Sequence, residues 1–167
     1  DWLLLRLPST GDAPVTWAVA DAAGVLLSLP STDMGGGLHT LSTGRRVALL
    51  VPGADVSQFQ VVLPAGSETR LLQLAPFALE DQVSQDVEQL HFAAGTRDPN
   101  SGLTPVAVID RNRMVTMLEQ AAALQLEPQA IFAESDLAPV LPGHVTILVT
   151  ENQLLMRNDS ARAMLLP

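Results

Sequence analysis

The sequence predicts an α/β fold in which a lobe with a mixed sheet is followed by the beginning of a second lobe. Three observations support this prediction. Residues 1–63 consist of short apolar runs separated by turn-forming Gly, Pro and Asp, a pattern typical of strands. Two later segments, beginning near residues 67 and 110, carry apolar side chains at helical spacing. Short strand-like runs return after Gly143.

The N-terminal region is predicted to form an antiparallel meander of three strands: Trp2–Leu7, Val15–Ala20 and Val25–Leu29. Turn-forming residues at 8–11 and 21–24 separate these strands. The next segment, Asp33–Gly37, contains three consecutive glycines, whose backbone entropy disfavours a regular element. We therefore expect a connecting loop there.

Two further strands are predicted before the first helix. Arg46–Val51 and Phe59–Leu63 are apolar runs that each end at a turn containing proline. Ser67 then offers a hydroxyl that can cap the start of a helix. Pro76 lies inside this helical pattern, where it lacks an N–H and crowds the preceding turn, so a kink or break is expected near Leu74.

A strand, a loop, a strand and a second helix follow in order. Val87–Ala94 and Val106–Ile109 are predicted to be strands, and residues 97–102 have the composition of an exposed hairpin loop. Asp110 can cap a helix over residues 111–124. The apolar residues that recur at helical spacing in it are Met114, Val115, Leu118, Ala121 and Ala122.

A short buried strand, Ala130–Ala133, precedes a change in composition. Residues 138–143 read APVLPG and are predicted to be a linker. This divides the chain into a first lobe at 1–137 and the incomplete beginning of a second lobe at 144–167. Three strands are expected in the second part: Val145–Thr150, Gln153–Arg157 and Ala163–Leu166.

Composition predicts the core and excludes several chemistries. Hydrophobic residues make up 47% of the chain and aromatic residues 4%, so the core is built from Leu, Val and Ala. The few large fillers expected there are Phe59, Phe77, Phe92 and Phe132. All nine basic residues are Arg, and without Lys neither a P-loop nor Schiff-base catalysis can operate. The absence of Cys excludes disulfides, a thiol nucleophile and thiolate metal sites.

The formal net charge of -9 and the absence of a basic stripe disfavour a nucleic-acid partner. No apolar run approaches the ~20 residues that a membrane-spanning helix needs. The acidic balance favours a basic or Arg-bearing protein partner.

Catalytic and metal sites are weakly indicated. His39, His91 and His144 show no metal-ligand spacing, so structural or solvated histidines are expected. No Gly-x-Ser-x-Gly elbow occurs, and Ser57, Ser67 and Ser84 fall at predicted turns or caps, where Ser serves the backbone. We therefore predict no catalytic residue, no cofactor and no metal site.

The segment at 71–92 joins an apolar helical face to an acidic edge. The apolar stripe, consisting of Leu71, Leu72, Ala75, Ala78, Leu79 and Val83, is predicted to be a buried helix face, with an exposed groove as the alternative. The acidic edge consists of Glu80, Asp81, Asp86 and Glu88, and residues 71–96 contain no Lys or Arg. A two-metal cluster is one interpretation of these carboxylates, but a solvated rim that binds a partner is the preferred one.

Four stretches carry a family resemblance. The order of the predicted elements matches half of an actin-like, or ribonuclease-H-like, lobe. The stretches Val51–Val56, Leu63–Pro64, Ala75–Gln82 and Asp86–Phe92 resemble the cytoplasmic domain of general secretion pathway protein L, a family of the bacterial type II secretion system. The resemblance extends over residues 2–150.

The resemblance implies a location and partners. In that family an actin-like cytoplasmic portion precedes one transmembrane helix and a small periplasmic domain, and it recruits the secretion ATPase to the inner membrane. This chain would then lie on the cytoplasmic side of the bacterial inner membrane. Its expected partners are the N-terminal domain of the ATPase and other platform proteins, with a second copy of the chain as a further candidate. The membrane would be reached through a segment outside this chain.

The residues also bear on enzymatic activity. Actin-like ATPases place an Asp-x-Gly turn directly after the first strand to hold metal and phosphate, whereas this chain has Leu5–Ser9 there. The matching position in the second lobe, residues 149–153, has no glycine. We therefore expect a scaffold without ATPase activity that docks the secretion ATPase through the acidic edge.

Two alternatives remain open. The first is an active nucleotide-binding actin-like ATPase, which the missing phosphate turns disfavour. The second is a soluble pilus-assembly protein of the same fold that binds a peptide from a membrane partner.

Overall fold

A computed structural model describes residues 1–8, 13–149 and 154–158, together with the backbone of 163–166. The strands are β1 (Trp2–Arg6), β2 (Val15–Ala20), β3 (Ser31–Asp33), β4 (Arg46–Val51), β5 (Val56–Val61), β6 (Leu90–Ala94), β7 (Thr104–Asp110), β8 (Ala130–Ala133), β9 (Thr146–Val149), β10 (Leu154–Arg157) and β11 (Ala163–Leu166). The helices are α1 (Leu38–Ser42), α2 (Glu68–Leu79) and α3 (Arg111–Ala123). No helix in these ranges is long and apolar enough to cross a membrane.

The chain divides into two units. One contains Asp1–Gly53 and Val115–Pro139, and the other contains Ala54–Met114 and Val140–Pro167. The chain therefore leaves the first unit for the last time within the segment predicted to be a linker, at 138–143. The assignment of residues 1–137 to one lobe and of 144–167 to the beginning of another stays a prediction.

The first unit is built on a five-stranded mixed sheet with the order β3-β2-β1-β4-β8. Strand β1 pairs antiparallel with β2 and parallel with β4, and β4 pairs parallel with β8. Alternate residues of the central strands are fully buried, among them Leu3, Leu5 and Leu49. The predicted mixed sheet is confirmed.

The third strand of the meander lies later than predicted. At Val25–Leu29 the structure has a single bridge, between Ala20 and Leu26, and β3 begins only at Ser31. The reason is that the Val19 N–H donates to a side chain, Ser28 Oγ, at 3.0 Å, and not to a backbone carbonyl of a neighbouring strand. This hydrogen bond interrupts the pairing with β2, which resumes only after Pro30.

The second unit contains an antiparallel sheet with the order β5-β7-β6. Strand β5 begins at Val56, earlier than the predicted Phe59, and β6 begins at Leu90, because a 3-10 turn occupies Val87–Gln89. One face of this sheet packs against α2. The buried residues of this core are Val61, Leu63, Ala75, Leu79, Leu90, Val106 and Val108.

Helix α2 starts as predicted and continues further than predicted. Ser67 Oγ accepts a hydrogen bond from the Arg70 N–H at 3.4 Å, which confirms the cap. The helix passes through Pro76 and ends at Leu79, so the predicted break near Leu74 is wrong. Burial of the last turn against the sheet offsets the hydrogen bond that proline removes, since Leu79 is fully buried.

The stripe of α2 is a buried face, as predicted, with two differences. The residues at four-residue spacing, Leu71, Ala75, Leu79 and Val83, belong to the core or pack against it, as does Leu74. Leu72 is half-buried and Ala78 is exposed. Among the predicted core phenylalanines, Phe59 and Phe92 pack against this core, whereas Phe77 and Phe132 are 78% and 45% exposed.

Helix α3 begins directly after Asp110, whose Oδ1 accepts from the Arg113 N–H at 2.9 Å, as predicted for a cap. Its buried residues are Met117 and Ala121, so Ala121 is buried as predicted, whereas Val115 and Leu118 are 47% and 40% exposed and their assignment to the apolar face is wrong. The last sheet has the order β11-β10-β9, with antiparallel pairs. The predicted strand ends at Thr150 and Gln153 lie outside the described residues.

Candidate functional site

The four carboxylates singled out in the sequence lie on the segment that connects α2 to β6. We call Glu80, Asp81, Asp86 and Glu88 the acidic rim. All four residues are exposed. Glu80 and Asp81 directly follow the last residue of α2, and Asp86 and Glu88 belong to the 3-10 turn before β6 rather than to a strand edge.

Backbone hydrogen bonds hold the acidic rim in place. The N–H groups of Gln82 and Val83 both donate to the Leu79 carbonyl, at 2.8 and 3.1 Å. Asp86 Oδ1 accepts from the Glu88 N–H at 3.0 Å and so caps the 3-10 turn. Leu79 belongs to the core and Val83 packs against it. Glu80 and Asp81, which lie between these two residues, are therefore attached to a rigid support.

The charges of the acidic rim are not neutralised by ion pairs within the described ranges. Ion pairs join Arg6 to Glu134 and Arg113 to Asp55, and neither pair involves a residue of the rim. Arg97, the next basic residue after the rim, donates its Nε–H to the Gly102 carbonyl at 2.9 Å. The rim therefore presents negative charge to solvent.

The same connecting segment borders a cleft of about 320 Å³. Its polar lining consists of Asp55, Ser57, Gln82, Ser84, Gln85 and Asp110. Its apolar lining consists of Phe59, Val83, Leu90, Val108 and Ile109. All of these residues belong to the second unit.

The register of the β5-β7-β6 sheet explains the cleft. Ser57 pairs with Val108, and Leu90 pairs with Asp110, so these side chains share one face of the sheet. Helix α2 covers this face elsewhere but ends at Leu79. The end of the face is left uncovered, and the turn at 82–85 forms the facing wall.

Two carboxylates at the cleft are tied to one arginine. Arg113 Nε donates to Asp55 Oδ2 at 2.8 Å, and the Arg113 backbone N–H donates to Asp110 Oδ1 at 2.9 Å. Both aspartates line the cleft, whereas Arg113 does not. The sequence assigned Asp110 only a capping role and did not single out Asp55, because nothing in the sequence indicates that these two residues are neighbours.

An exposed aromatic residue lies beside the acidic rim. Phe77 is 78% exposed near the end of α2. Glu80 and Asp81 follow it by three and four residues, the spacing of side chains on one helix face. A large apolar side chain next to carboxylates is typical of an interaction surface. The sequence predicted Phe77 to be buried, and its offset from the stripe Leu71, Ala75 and Leu79 was the signal of its exposure.

The other candidate residues are not brought together. His39 Nδ1 contacts the Gln125 carbonyl at 3.0 Å, and His144 Nδ1 contacts the Pro142 carbonyl at 2.8 Å. His91 is exposed on β6. Over the residues whose placement is described, no group of three His, Asp or Glu side chains could hold a metal ion. Of the serines, Ser67 caps α2 as predicted, whereas Ser57 lies within β5 rather than at a turn, and Ser57 and Ser84 both line the cleft.

Comparisons with known proteins identify relatives of the chain. Residues 3–167 match the family model of type II secretion system (T2SS), protein L. The type II secretion system protein L of Pectobacterium carotovorum subsp. carotovorum is 31% identical over 97% of this chain and 39% of its own length. The protein L of Vibrio cholerae is 25% identical over 98% of this chain and 41% of its own length. The chain thus spans about two fifths of the length of these curated relatives.

Solved structures confirm the actin-like fold. The cytoplasmic domain of EpsL, an inner membrane component of the type II secretion system of Vibrio cholerae, matches with a TM-score of 0.75 and 23% identity. The match covers 99% of this chain and 70% of that one. The PilM–PilN type IV pilus biogenesis complex matches with a TM-score of 0.58 and 12% identity, over 98% of this chain and 60% of that one.

The sequence match therefore confirms the family that the motifs at 51–92 indicated, and the structural matches agree with it in fold. The chain belongs to the type II secretion system protein L family.

Proposed function

We propose that this chain is a non-catalytic cytoplasmic scaffold of the type II secretion system, which docks the secretion ATPase and couples it to the inner-membrane platform. The observation that carries the proposal is the combination of Phe77, 78% exposed, with the exposed carboxylates of the acidic rim. Membership of the protein L family supports the secretion system as the setting. The related EpsL of Vibrio cholerae is an inner membrane component of that system, which supports the location.

The acidic rim and Phe77 would contribute to docking in different ways. Exposed carboxylates attract a basic surface over about 10 Å at 0.1 M salt, which raises the rate of association and makes it salt-dependent. Such rim charges add little affinity once they are hydrated in the complex. An aromatic side chain that becomes buried can supply about 2 kcal/mol or more. We therefore assign steering to the rim and anchoring to Phe77.

The absence of catalysis is proposed from the end of the first strand. Actin-like ATPases use an acidic turn there, and this chain has Arg6 as the last residue of β1. Arg6 Nε donates to Glu134 Oε1 at 2.8 Å, so the side chain at this position is engaged in an ion pair. The corresponding position after β9 lies outside the described residues. A nucleotide-induced rise in melting temperature would contradict this part of the proposal.

Calorimetry with the N-terminal domain of the secretion ATPase tests the docking proposal. The triple variant Glu80→Gln, Asp81→Asn and Glu88→Gln removes charge from the rim and keeps the size of the side chains. It should bind several-fold more weakly at low salt, with a smaller loss of affinity as salt is raised.

A matched control uses three exposed carboxylates of the first unit. Asp1→Asn, Glu119→Gln and Glu127→Gln lower the negative charge of the whole chain by the same three charges without touching the rim. This control should bind as the unmodified chain does. If both variants lose affinity equally, net charge rather than the rim is responsible, and an unchanged affinity of the triple variant would move the interface elsewhere.

A further inference from the structure

The cleft at the end of the β5-β7-β6 sheet has a chemical character that the docking proposal does not use. Its volume of about 320 Å³ lies at the lower end of the about 300–1,000 Å³ that small-molecule sites occupy. One long side chain suits it better than a nucleotide or another large ligand. Its position between the turn at 82–85 and the ends of β5 and β7 leaves it open to solvent beside the acidic rim.

The charge of the lining favours a cation. The ionisable residues that line the cleft are Asp55 and Asp110. Two arginines outside the lining contact residues that belong to it. Arg113 forms an ion pair with Asp55 and reaches Asp110 only through its backbone N–H, and Arg111 donates to the Leu90 carbonyl at 3.2 Å. The Asp110 carboxylate therefore has no ion pair within the described residues, and the acidic rim adds negative charge on both sides of the turn at 82–85 that lines the cleft.

An anion is the competing occupant, because the first turn of α3 begins at the cleft and helix N-termini attract negative charge. Asp110 already occupies this position and accepts from the first turn of the helix. An anion entering the cleft would also meet Asp55. The two carboxylates therefore disfavour phosphate, and the charge of Asp110, which is not in an ion pair within the described residues, favours a positively charged side chain.

The apolar lining distinguishes arginine from lysine. Phe59, Leu90 and Val108 lie on the same face of the sheet as Asp110, and all of them line the cleft together with Asp55. A guanidinium is planar and weakly hydrated, stacks on aromatic and apolar surfaces, and can donate to two carboxylates at once. An ammonium is compact and strongly hydrated, and it gains less from an apolar surface.

We propose that the cleft receives an arginine side chain from a protein partner, with Asp110 and Asp55 accepting from its guanidinium and Phe59 contacting its plane. The inference rests on the proposed docking function and specifies it. The acidic rim attracts a basic segment, and the cleft selects one arginine of that segment.

The test titrates the chain with Nα-acetyl-arginine amide and follows the backbone amide resonances by NMR. Two matched probes are its citrulline counterpart, which has nearly the same shape without charge, and inorganic phosphate. We expect the arginine compound to shift the resonances of Ser57, Ser84 and Asp110 and to bind at least about fivefold more tightly than the citrulline compound. Equal shifts with citrulline, or saturable binding of phosphate at these residues, would overturn the proposal.

Two variants check the position of the site. Asp110→Asn keeps an oxygen that can cap α3 and removes the charge, so the chain should fold and bind the arginine compound at least about fivefold more weakly. Ser84→Trp places a large side chain on the exposed turn and should block the cleft. The melting temperature of each variant establishes that it is folded, and unchanged arginine binding by both folded variants would refute the site.

The same variants separate this inference from the docking proposal. When the ATPase domain is the ligand, a loss of affinity in the rim variant but not in Asp110→Asn would leave docking intact and contradict the role of the cleft. Binding of the arginine compound without any binding of the ATPase domain would support the cleft and contradict the partner. Loss in both variants is the result expected if both proposals hold.

Discussion

Arg113 Nε lies 2.8 Å from Asp55 Oδ2, and this ion pair joins the first turn of α3 to the start of β5. The side chains are 18% and 26% exposed, so the pair is only partly screened by water. Asp110 accepts from the backbone N–H of the same arginine. One residue thus fixes the two carboxylates that line the cleft.

The Arg113–Asp55 pair predicts a moderate loss of stability on substitution. Exposed ion pairs contribute about 0–1 kcal/mol, whereas removing one partner of a buried pair costs about 3–5 kcal/mol. For this partly buried pair we expect Asp55→Asn to lower the free energy of unfolding by about 1–2 kcal/mol. Urea unfolding measures the change, and a double-mutant cycle with Arg113→Gln isolates the pairwise contribution.

The Arg6–Glu134 pair is the internal control for this prediction. Its side chains are 44% and 32% exposed, so Glu134→Gln should cost no more than about 1 kcal/mol. An equal loss for the two pairs would show that burial does not decide their contribution.

The core between α2 and the β5-β7-β6 sheet predicts a larger effect. Leu79 is fully buried in it, and truncation of a buried leucine to alanine costs about 2–5 kcal/mol. Leu79→Ala should therefore lower the free energy of unfolding by that amount in urea. The same truncation at half-buried Leu72, in the same helix, should cost clearly less. Similar losses at both positions would contradict the assignment of the buried face.

Truncation of Phe77 should have the opposite result, with little loss of stability and a large loss of partner binding. Because its side chain is 78% exposed and alanine is the better helix former, Phe77→Ala should change stability by no more than about 0.5 kcal/mol. Binding of the ATPase N-terminal domain should weaken about thirtyfold, which corresponds to the about 2 kcal/mol of an aromatic anchor. Thermal unfolding and calorimetry measure the two effects. Gln73→Ala, one turn earlier and also exposed, should change neither.

The order of the elements could be predicted because local signals determine it. Short apolar runs bounded by turn residues located β1, β2 and β4, and the caps Ser67 and Asp110 located the starts of α2 and α3. The prediction failed where a side chain competes with the backbone. Ser28 takes the N–H of Val19, so the apolar segment at Val25–Leu29 does not continue the ladder.

The acidic rim could be predicted and the cleft could not. Consecutive charges without a basic neighbour are visible in the sequence as an exposed edge. The cleft depends on the register of the sheet, which pairs Val56 with Ile109 and so brings Asp55 near Asp110. These two aspartates are far apart along the chain. It also depends on where α2 ends relative to the sheet. Neither the pairing of the strands nor the residue at which α2 ends can be recognised from a short stretch of sequence.

Asp33 predicts a change of stability with pH. Hydrogen bonds to its carboxylate lower its pKa: the larger cause is the Trp17 indole N–H, at 3.0 Å from Oδ2, and the second is the Gly35 backbone N–H. A carboxylate whose pKa is lower in the folded state stabilises the fold fully above the pKa of the unfolded chain, and this contribution is lost as the pH falls through the folded-state pKa. The loss therefore begins below the ordinary value of 3.8.

Trp17→Phe separates the two causes of this shift, because it removes the indole donor and leaves the Gly35 N–H in place. The pKa of Asp33, measured from the pH dependence of its side-chain carboxyl carbon shift in NMR, should rise toward 3.8 without reaching it. Asp33→Asn removes the titrating group, so its stability should fall less steeply than that of the unmodified chain below this pH. If the pKa of Asp33 is unchanged in Trp17→Phe, the indole does not hold the carboxylate in solution, and the hydrogen bond between β2 and β3 contributes nothing to stability in acid.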